Sequence, residues 1–431
     1  MLFKNIVKVA QQLLRLLLPI AHVSGILRLS SVIILFAAAG QRMVFFRDLS
    51  GSRDSDGSNA KNMEIQGIKR AALLMLGMAL LSVFFSVNRM GSLKDIFWII
   101  FIPLNLFIFF ACSRKIEAIW QQWSVLGSVL LLGLFTLGSA YCWSRTGTQG
   151  EAVSTGLWKY YPGPGLASTF MSFSLPFLWA TALSESNKKR YVAIGLMGLV
   201  MWSAWLTGNR QFWIEWCVSM VWGGYWLCRK SPHRLRILLL AVLPLVGVMW
   251  VAIAHQTHER TNLSVPMAAH EDLRRSIWSY WYGEFLKAPL IGHGFGKIAQ
   301  HQVYLQQFKL KQLPSEIQNI HEAVHAHNLV IDYLVQTGLM GTLAWAWLLL
   351  QLATLARHRA AVAKNGSVYA DAVLQLMLIM LLKNMTDDFM NFEGSLYFWS
   401  EAGLLLALAA AENPVQPEVS EHESSLAKPL D

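Results

Sequence analysis

Charged side chains are scarce in this chain. Asp, Glu, Lys and Arg make up 14% of its 431 residues, whereas soluble domains carry about 25%. Runs without any charge recur, such as 71–87, 123–143 and 237–255, and each is long enough to cross a hydrocarbon core about 30 Å thick. This composition excludes an ordinary soluble domain. The alternating ten-residue segments typical of a membrane β-barrel are also missing from the sequence.

Cysteine is scarce as well, which excludes two further classes. The four cysteines, Cys112, Cys142, Cys217 and Cys228, lie within or at the ends of apolar runs. Their spacing fits neither a disulfide framework nor a zinc knuckle.

Hydropathy predicts an all-α polytopic membrane protein with about twelve transmembrane helices. The abundance of tryptophan, 18 residues, is typical of interfacial belts. The predicted spans are 12–27, 29–46, 70–88, 95–112, 123–143, 165–184, 191–208, 211–228, 236–255, 328–356, 369–386 and 396–411.

Lysine and arginine predict the orientation. They concentrate in the loops 47–69, 113–122, 185–190, 229–235 and 357–368, which places those loops and the N-terminus in the cytoplasm. The net charge of +10 is thereby explained without a nucleic-acid partner. The predicted organisation is nine spans within 1–255, a long outer loop at 256–327, three spans within 328–411 and a disordered cytoplasmic tail at 412–431.

The long loop concentrates polar residues, because 255–327 contains eight of the twelve histidines. Long loops in compact proteins are usually functional. An amphipathic helix lying on the membrane is predicted at Glu271–Lys287, and a second short helix at Lys297–Leu310. The first carries apolar residues at helical spacing: Ile277, Trp278, Trp281, Tyr282 and Phe285.

Three arginines are candidates for binding an anion. Arg210 lies in the short connection between the seventh and eighth spans, where an unpaired arginine at membrane depth is costly. Arg274 and Arg275 begin the amphipathic helix, and a guanidinium matches phosphate oxygens bidentately. The alternatives are a snorkelling loop arginine at 210 and helix-surface ion pairs at 274 and 275.

Two overlapping motifs lie at 321–342. His321, Glu322 and His325 form H-E-x-x-H, which predicts a zinc hydrolase if both histidines share a helix face. His327 and Asn328 follow at the mouth of the tenth span, where an imidazole is placed to act as a general base. The alternative for His327 is a cap of that span without chemistry.

Two glycine patterns accompany these motifs. Gly292 and Gly294 follow Pro289 in a G-H-G-F-G run, which predicts a tight turn with His293 as a turn residue rather than a ligand. Gly338 and Gly341 are three apart, a spacing typical of a close-packing face for a neighbouring helix.

Together these patterns resemble the bacterial O-antigen ligases and the wider superfamily of O-antigen polymerases and protein O-oligosaccharyltransferases. The resemblance lies in His327-Asn328-x9-Gly338-x2-Gly341-Thr342, in the G-x-R segment ending at Arg210, in Arg274-x3-Trp278 and in Pro289-Leu290-x-Gly292-x-Gly294. The adjacent Arg275 leaves the register of the third segment open, and its spacing to Trp278 favours Arg274.

The resemblance implies a GT-C-like, inverting glycosyltransferase of the bacterial inner membrane with its active site facing the periplasm. The implied donor is an undecaprenyl-diphosphate-linked glycan and the implied acceptor is lipid A–core. No cofactor or metal is expected, because the outer loops contain no D-x-D motif. His327 is implied as the base and Arg210 with Arg274 or Arg275 as diphosphate ligands. Supporting roles are assigned to His321, His325, Asn328, Lys383, Asp388 and Glu393.

Three alternatives follow from the same residues. A polymerase would use the same donor with a lipid-linked glycan as acceptor, and a protein glycosyltransferase would use a pilin or another protein. A membrane zinc protease would use His321, Glu322 and His325. A lipid-linked glycan transporter is disfavoured, since transporters place their charged residues near the bilayer midplane.

Overall fold

The computed structural model describes residues 59–112, 115–146, 164–184, 187–207, 209, 211–230, 267–313, 317, 323–363, 366–385 and 388–412, with isolated positions between 9 and 34 and at 247. Within these ranges the regular structure is helical, without a strand. The helices are α1 (Asn59–Val83), α2 (Arg89–Ala111, with a π-helical segment at Ile96–Phe101), α3 (Lys115–Thr146), α4 (Pro164–Ser184), α5 (Asn187–Thr207), α6 (Gln211–Lys230), α7 (Met267–Lys287), α8 (Lys297–Lys309), α9 (Leu329–Val362), α10 (Val368–Lys383) and α11 (Phe392–Glu412).

Seven of the described helices are long and apolar enough to cross a membrane. They are α1, α2, α3, α4, α5, α9 and α11, which agree with seven predicted spans. The spans predicted at 211–228 and 369–386 correspond to α6, which carries Glu215, and to α10, which has 16 residues. The spans predicted at 12–27, 29–46 and 236–255 lie almost wholly outside the described residues, as does the tail after 412.

Two helices end before the predicted ends of their spans. The helix of the predicted span 70–88 ends at Val83, because Asn88 caps the next helix by accepting from the backbone N–H of Gly91. The helix of the span 369–386 ends at Lys383, where Asn384 is the C-cap.

The apolar core is formed by helices that lie against one another along their length. Nearly all residues of α4 and α11 are buried. Helix α11 packs on α2, α9 packs on α1, and α4 lies between α5 and α10. A second, smaller core lies around α7 and the start of α9, with Ile277, Trp281 and Val335 among its members.

The predicted outer connections meet at one end of the bundle. Ile298 at the start of α8 donates its N–H to Asp95 Oδ2 of α2 at 3.2 Å. Asn328, before α9, donates to the carbonyl of Met385, after α10, at 2.8 Å. At the other end of α10, Tyr369 accepts from Gln122 of α3 at 2.9 Å. The loops predicted to be outer are thus separated from those predicted to be cytoplasmic.

The two helices predicted in the long loop are present, although their ends differ from the prediction and one aromatic side chain is exposed. Helix α7 covers the predicted range Glu271–Lys287 and begins earlier, and α8 ends one residue before the predicted Leu310. In α7, Ile277 and Trp281 are buried, whereas Tyr282, predicted on the same apolar face, is half exposed. The buried face of α7 packs on α9.

Candidate active site

The first turn of α9 fixes the position of His327. Asn328 is the N-cap, and its Oδ1 accepts from the backbone N–H groups of Val330 and Ile331 at 3.1 and 3.2 Å. His327 therefore lies just before the helix, with a positive φ of 51° that is uncommon for a residue other than glycine. The capping alternative is wrong for His327, because Asn328 supplies the cap.

His325 and His327 lie side by side in the turn. Their ring centroids are 3.9 Å apart. The backbone N–H of His327 donates to Nδ1 of His325 at 3.2 Å, which ties the two histidines together. The turn itself is anchored to α7, since Trp281 donates its indole N–H to the carbonyl of Ala323 at 3.0 Å.

A fully buried carboxylate, Asp332, faces this histidine pair from the first turn of α9. Its Oδ1 accepts from the backbone N–H of Ala326 at 2.9 Å and from Nε2 of Gln300 at 2.6 Å. Its Oδ2 lies 3.6 Å from Nδ1 of His325 and has no hydrogen-bond partner among the described residues. A carboxylate near a helix N-terminus is also stabilised by the helix dipole.

A chain of amides continues from Asp332 into the fold. Gln300 of α8 accepts from Nε2 of Gln336 at 3.0 Å, and Gln336 accepts from the backbone N–H of Gly296 at 3.0 Å. Both glutamines are buried. Buried polar groups that are hydrogen-bonded in this way hold one another in a defined orientation.

Lys297 and Asp388 form a second charged group beside this chain. Nζ of Lys297 lies 3.4 Å from Asp388 Oδ2 and donates to the backbone carbonyl of Asp388 at 2.5 Å. Burial raises the pKa of Asp388, although the charge of Lys297 acts in the opposite direction. Both residues line a small cavity together with Gln336 and Tyr333. Glu393 lies in the first turn of α11.

The glycine run forms the tight turn that the sequence predicts, and this turn docks into a break in α9. Gly338 has φ 65° and ψ −171°, which interrupts the helix. The backbone N–H groups of His293 and Gly294 donate to the carbonyls of Val335 and Gln336 at 2.8 and 3.0 Å. In exchange, the N–H groups after the break, at 339 and 340, donate to the carbonyls of residues 289 and 290.

The role of the second glycine pair differs from the prediction. A Cβ on Gly338 would lie 2.3 Å from the carbonyl carbon of Leu290, and one on Gly292, whose φ is 78°, would lie 2.5 Å from that of Gln336. The close approach is therefore between helix α9 and the turn, not between two helices. Gly341 approaches Thr337 of its own helix.

Lys383 lies in a different polar cluster within the helix bundle. It is fully buried, donates to Ser168 Oγ at 3.0 Å and lies 4.0 Å from Glu215 Oε2. The described ion pair of Lys383 is therefore with Glu215 of α6, and not with Asp388 or Glu393. Asn209 donates to the same Ser168 at 2.8 Å.

Of the predicted arginines, the structure describes two. Arg210 lies outside the described residues, as do His321 and Glu322. Arg274 and Arg275 are exposed on α7. Arg274 precedes Ile277 and Trp281 by three and seven residues, which places it on the stripe that packs toward the histidine turn. Arg275 shares its stripe with the exposed Tyr282.

The H-E-x-x-H hypothesis loses its structural basis at His325. Residues 323–328 form turns and bends, and α9 begins only at Leu329. A zinc motif of this type needs both histidines on one helix. Across the described part of the chain, no group of three His, Cys, Asp or Glu side chains is arranged to hold a metal ion.

Sequence reasoning missed three charged residues of these clusters. Asp332 and Glu215 each lie alone within a predicted span, and a lone carboxylate at membrane depth is a functional candidate by default. That criterion was available from the sequence. Lys297, in contrast, follows a glycine turn in a polar loop, where nothing local distinguishes it from a solvated lysine.

Comparison with known proteins bears on the same segment. The family model described as O-antigen ligase matches residues 178–346, about two fifths of the chain. The match includes Arg274, His327, Asp332 and Gly338, and ends before Lys383 and Asp388. No curated protein matches the chain. The family match supports membership of this chain in the O-antigen ligase/polymerase superfamily, and with it a membrane enzyme of that type.

Proposed function

We propose that the protein is an O-antigen ligase. It transfers O-antigen polysaccharide from undecaprenyl diphosphate to lipid A–core on the periplasmic face of the bacterial inner membrane, within a GT-C-like bundle of about twelve spans. The observation that carries the proposal is His327. It is held just outside an apolar helix against His325, which in turn lies 3.6 Å from the buried carboxylate of Asp332, within the segment that matches O-antigen ligases.

The proposed reaction is a single displacement. His327 accepts the proton of an acceptor hydroxyl, and the hydroxyl oxygen forms a bond to the anomeric carbon of the donor. The bond from that carbon to the phosphate oxygen breaks, and the diphosphate leaves with the electron pair. Attack from the opposite face inverts the anomeric configuration. A positioned base contributes about 10²–10⁴-fold to such a rate.

The leaving diphosphate needs positive charge, which Arg210 and Arg274 supply in this proposal. The stripe of α7 that carries Arg274 favours it over Arg275. His321, His325, Asp388, Glu393 and Lys383 have supporting roles. Among them, Asp388 has Lys297 as its counter-charge beside the cavity. Positive charge from arginine needs no divalent ion, so ligation is expected to continue in EDTA.

The test is the transfer of lipid-linked glycan to lipid A–core by membranes that contain each variant. His327→Ala and Arg210→Ala should lose ligation, by at least about 100-fold for the base, and Arg274→Ala should lose more than Arg275→Ala. The matched controls are His358→Ala and Arg357→Ala, near the far end of α9. Full ligation by His327→Ala would contradict the assigned base.

A deletion strain separates the ligase from a polymerase of the same superfamily. Loss of a ligase leaves lipid A–core without O-antigen while long lipid-linked polymer accumulates. Loss of a polymerase leaves core that carries a single repeat unit. A protein glycosyltransferase would leave the lipopolysaccharide pattern unchanged, so one gel distinguishes the three.

A further inference from the structure

The nitrogen Nδ1 of His325 has two competing neighbours. On one side, the backbone N–H of His327 donates to it at 3.2 Å. On the other side lies Oδ2 of Asp332, at 3.6 Å. A nitrogen that accepts a hydrogen bond carries no proton, so Nδ1 of His325 can hold the N–H of His327 only while Nδ1 is unprotonated. A proton on Nδ1 would break the bond to His327 and make Asp332 the favoured partner.

We propose that Asp332 and His325 form a positioning pair for His327, in which the proton on Nδ1 of His325 decides whether His327 is held. This inference rests on the proposed function, since it assumes that His327 is the base. With Nδ1 free, His325 holds the backbone of His327 in its left-handed conformation. With Nδ1 protonated, His325 turns to Asp332 and the N–H of His327 is released.

The electrostatics of the pair point the same way. When His327 takes the proton of the acceptor, an imidazolium forms whose ring centroid is 3.9 Å from that of His325. Two charged imidazoles at this distance would repel each other, so the pair functions with His325 neutral at that moment. The buried carboxylate of Asp332 then stabilises the single positive charge of the pair.

Other charged and titratable groups surround the pair, and they define the background for its pH dependence. Lys297 of α8 and Asp388, in the loop before α11, interact electrostatically with Asp332. The titratable and charged side chains of α7 and α8, which pack on this part of α9, include Arg274, Tyr280, Glu284, His301 and Tyr304. Each experiment below leaves these groups unchanged.

An asparagine side chain can make the same hydrogen bond as His325, which allows a test of the pair. Asparagine side chains accept from the backbone N–H two residues later, the same spacing as 325 to 327. His325→Asn should therefore keep the hold on His327 but cannot take up a proton near neutral pH. His325→Leu removes the acceptor altogether. We expect His325→Leu to lower kcat by about tenfold or more, less than removal of the base itself, and His325→Asn to retain most of it.

Asp332→Asn tests the second half of the pair. The amide keeps an oxygen for Gln300 and Ala326 but presents a donor instead of a negative charge to His325. We expect kcat to fall by about tenfold, KM to stay the same, and the acid limb of the pH profile of kcat to move to lower pH. The limb should move because an imidazolium without its counter-charge loses its proton more readily. In a His325→Asn background, Asp332→Asn should move the limb less, because only the charge on His327 then remains to respond to the loss of the carboxylate.

The measurement is kcat and KM against pH for the purified full chain in liposomes, with lipid-linked donor and lipid A–core. Asp371→Asn is the control for the substitution itself, because it makes the same carboxyl-to-amide change in the first turn of α10, at the end of that helix away from the histidine turn. An unshifted acid limb in Asp332→Asn, or equal losses in His325→Asn and His325→Leu, would overturn the pair. Ligation by His327→Ala would overturn the proposed function instead, so the two failures are distinguishable.

Discussion

At the scale of single residues, the buried charges Asp332 and Lys383 differ in how completely their partners surround them. Asp332 has one oxygen fully engaged and the other directed at a histidine. Lys383 is fully enclosed, with Ser168 and Glu215 as neighbours. Removing one partner of such a buried ion pair leaves an uncompensated charge inside the bundle, which is destabilising. Substitution of Lys383 is therefore expected to lower the stability of the protein, independently of any contribution of this residue to substrate binding.

The Lys383 prediction follows from the energetics of buried ion pairs. Lys383→Met leaves Glu215 buried without its cation, which should destabilise the protein by about 3–5 kcal/mol. Adding Glu215→Gln should recover most of that loss, because no uncompensated charge remains. Thermal unfolding in detergent measures both variants.

An exposed lysine provides the comparison for this cycle. Lys287→Met removes an ion pair in which the lysine side chain is 61% exposed and the Glu284 side chain 4% exposed, so solvent screens the lysine and the loss of stability should be smaller than for Lys383→Met. If the double variant were as unstable as Lys383→Met alone, the ion pair would not be the origin of the effect. Loss of ligation in a fully stable double variant would assign Lys383 a role in the reaction.

At the scale of helices, the sequence predicts where apolar helices exist but not how they break. Long apolar runs suffice to predict α2, α4 and α11, because burial of apolar residues decides those helices. The break at Gly338 could not be predicted, since Gly338 and Gly341 show the same spacing as a helix-packing face. The difference is made by the turn after Pro289, which supplies hydrogen bonds to the broken helix. That partner is about fifty residues away in sequence.

The same limit applies to the site. The position of His327 before an apolar helix was visible in the sequence, whereas the capping role of Asn328 was not predicted, although asparagine is a preferred N-cap residue. The neighbour that faces the histidines, Asp332, was visible only as a lone carboxylate in a span. Its contacts to Gln300 and His325 arise from the way α8 and the turn pack on α9, which no local pattern encodes.

The helix break leads to a prediction about Gly338. Gly338→Ala adds a Cβ 2.3 Å from backbone atoms of the turn at a φ of 65°, so the turn has to move away or the helix has to straighten. We expect a loss of more than about 1 kcal/mol in unfolding free energy together with reduced ligation. Gly283→Ala is the control, because its Cβ would meet no atom within 4 Å and alanine favours a helix. A Gly338→Ala variant as stable as the parent would mean that the turn does not depend on this break.

At the scale of the whole molecule, charge and packing agree on two distinct ends. The contacts Ile298–Asp95 and Asn328–Met385 join loops that the lysine and arginine bias places outside. At the other end Lys189, from a loop predicted to be cytoplasmic, donates to Gln122 at 2.6 Å. The positive-inside rule uses only loop composition and takes no account of contacts. Two independent properties of the chain therefore give the same division of the molecule.

This division predicts which surface each exposed position faces in a cell. Cysteine is introduced at Lys309, at the end of α8, and at Val362, at the far end of α9, both of which are exposed. In cells with a permeabilised outer membrane, a membrane-impermeant maleimide should label Lys309→Cys, whereas Val362→Cys should react only after lysis. The parent chain, with its four cysteines within or beside apolar runs, sets the background. Labelling of Val362→Cys in intact cells would mean that the orientation of the protein is opposite to the predicted one. His327 would then lie on the side of the membrane away from the periplasmic lipid A–core that the proposed reaction needs.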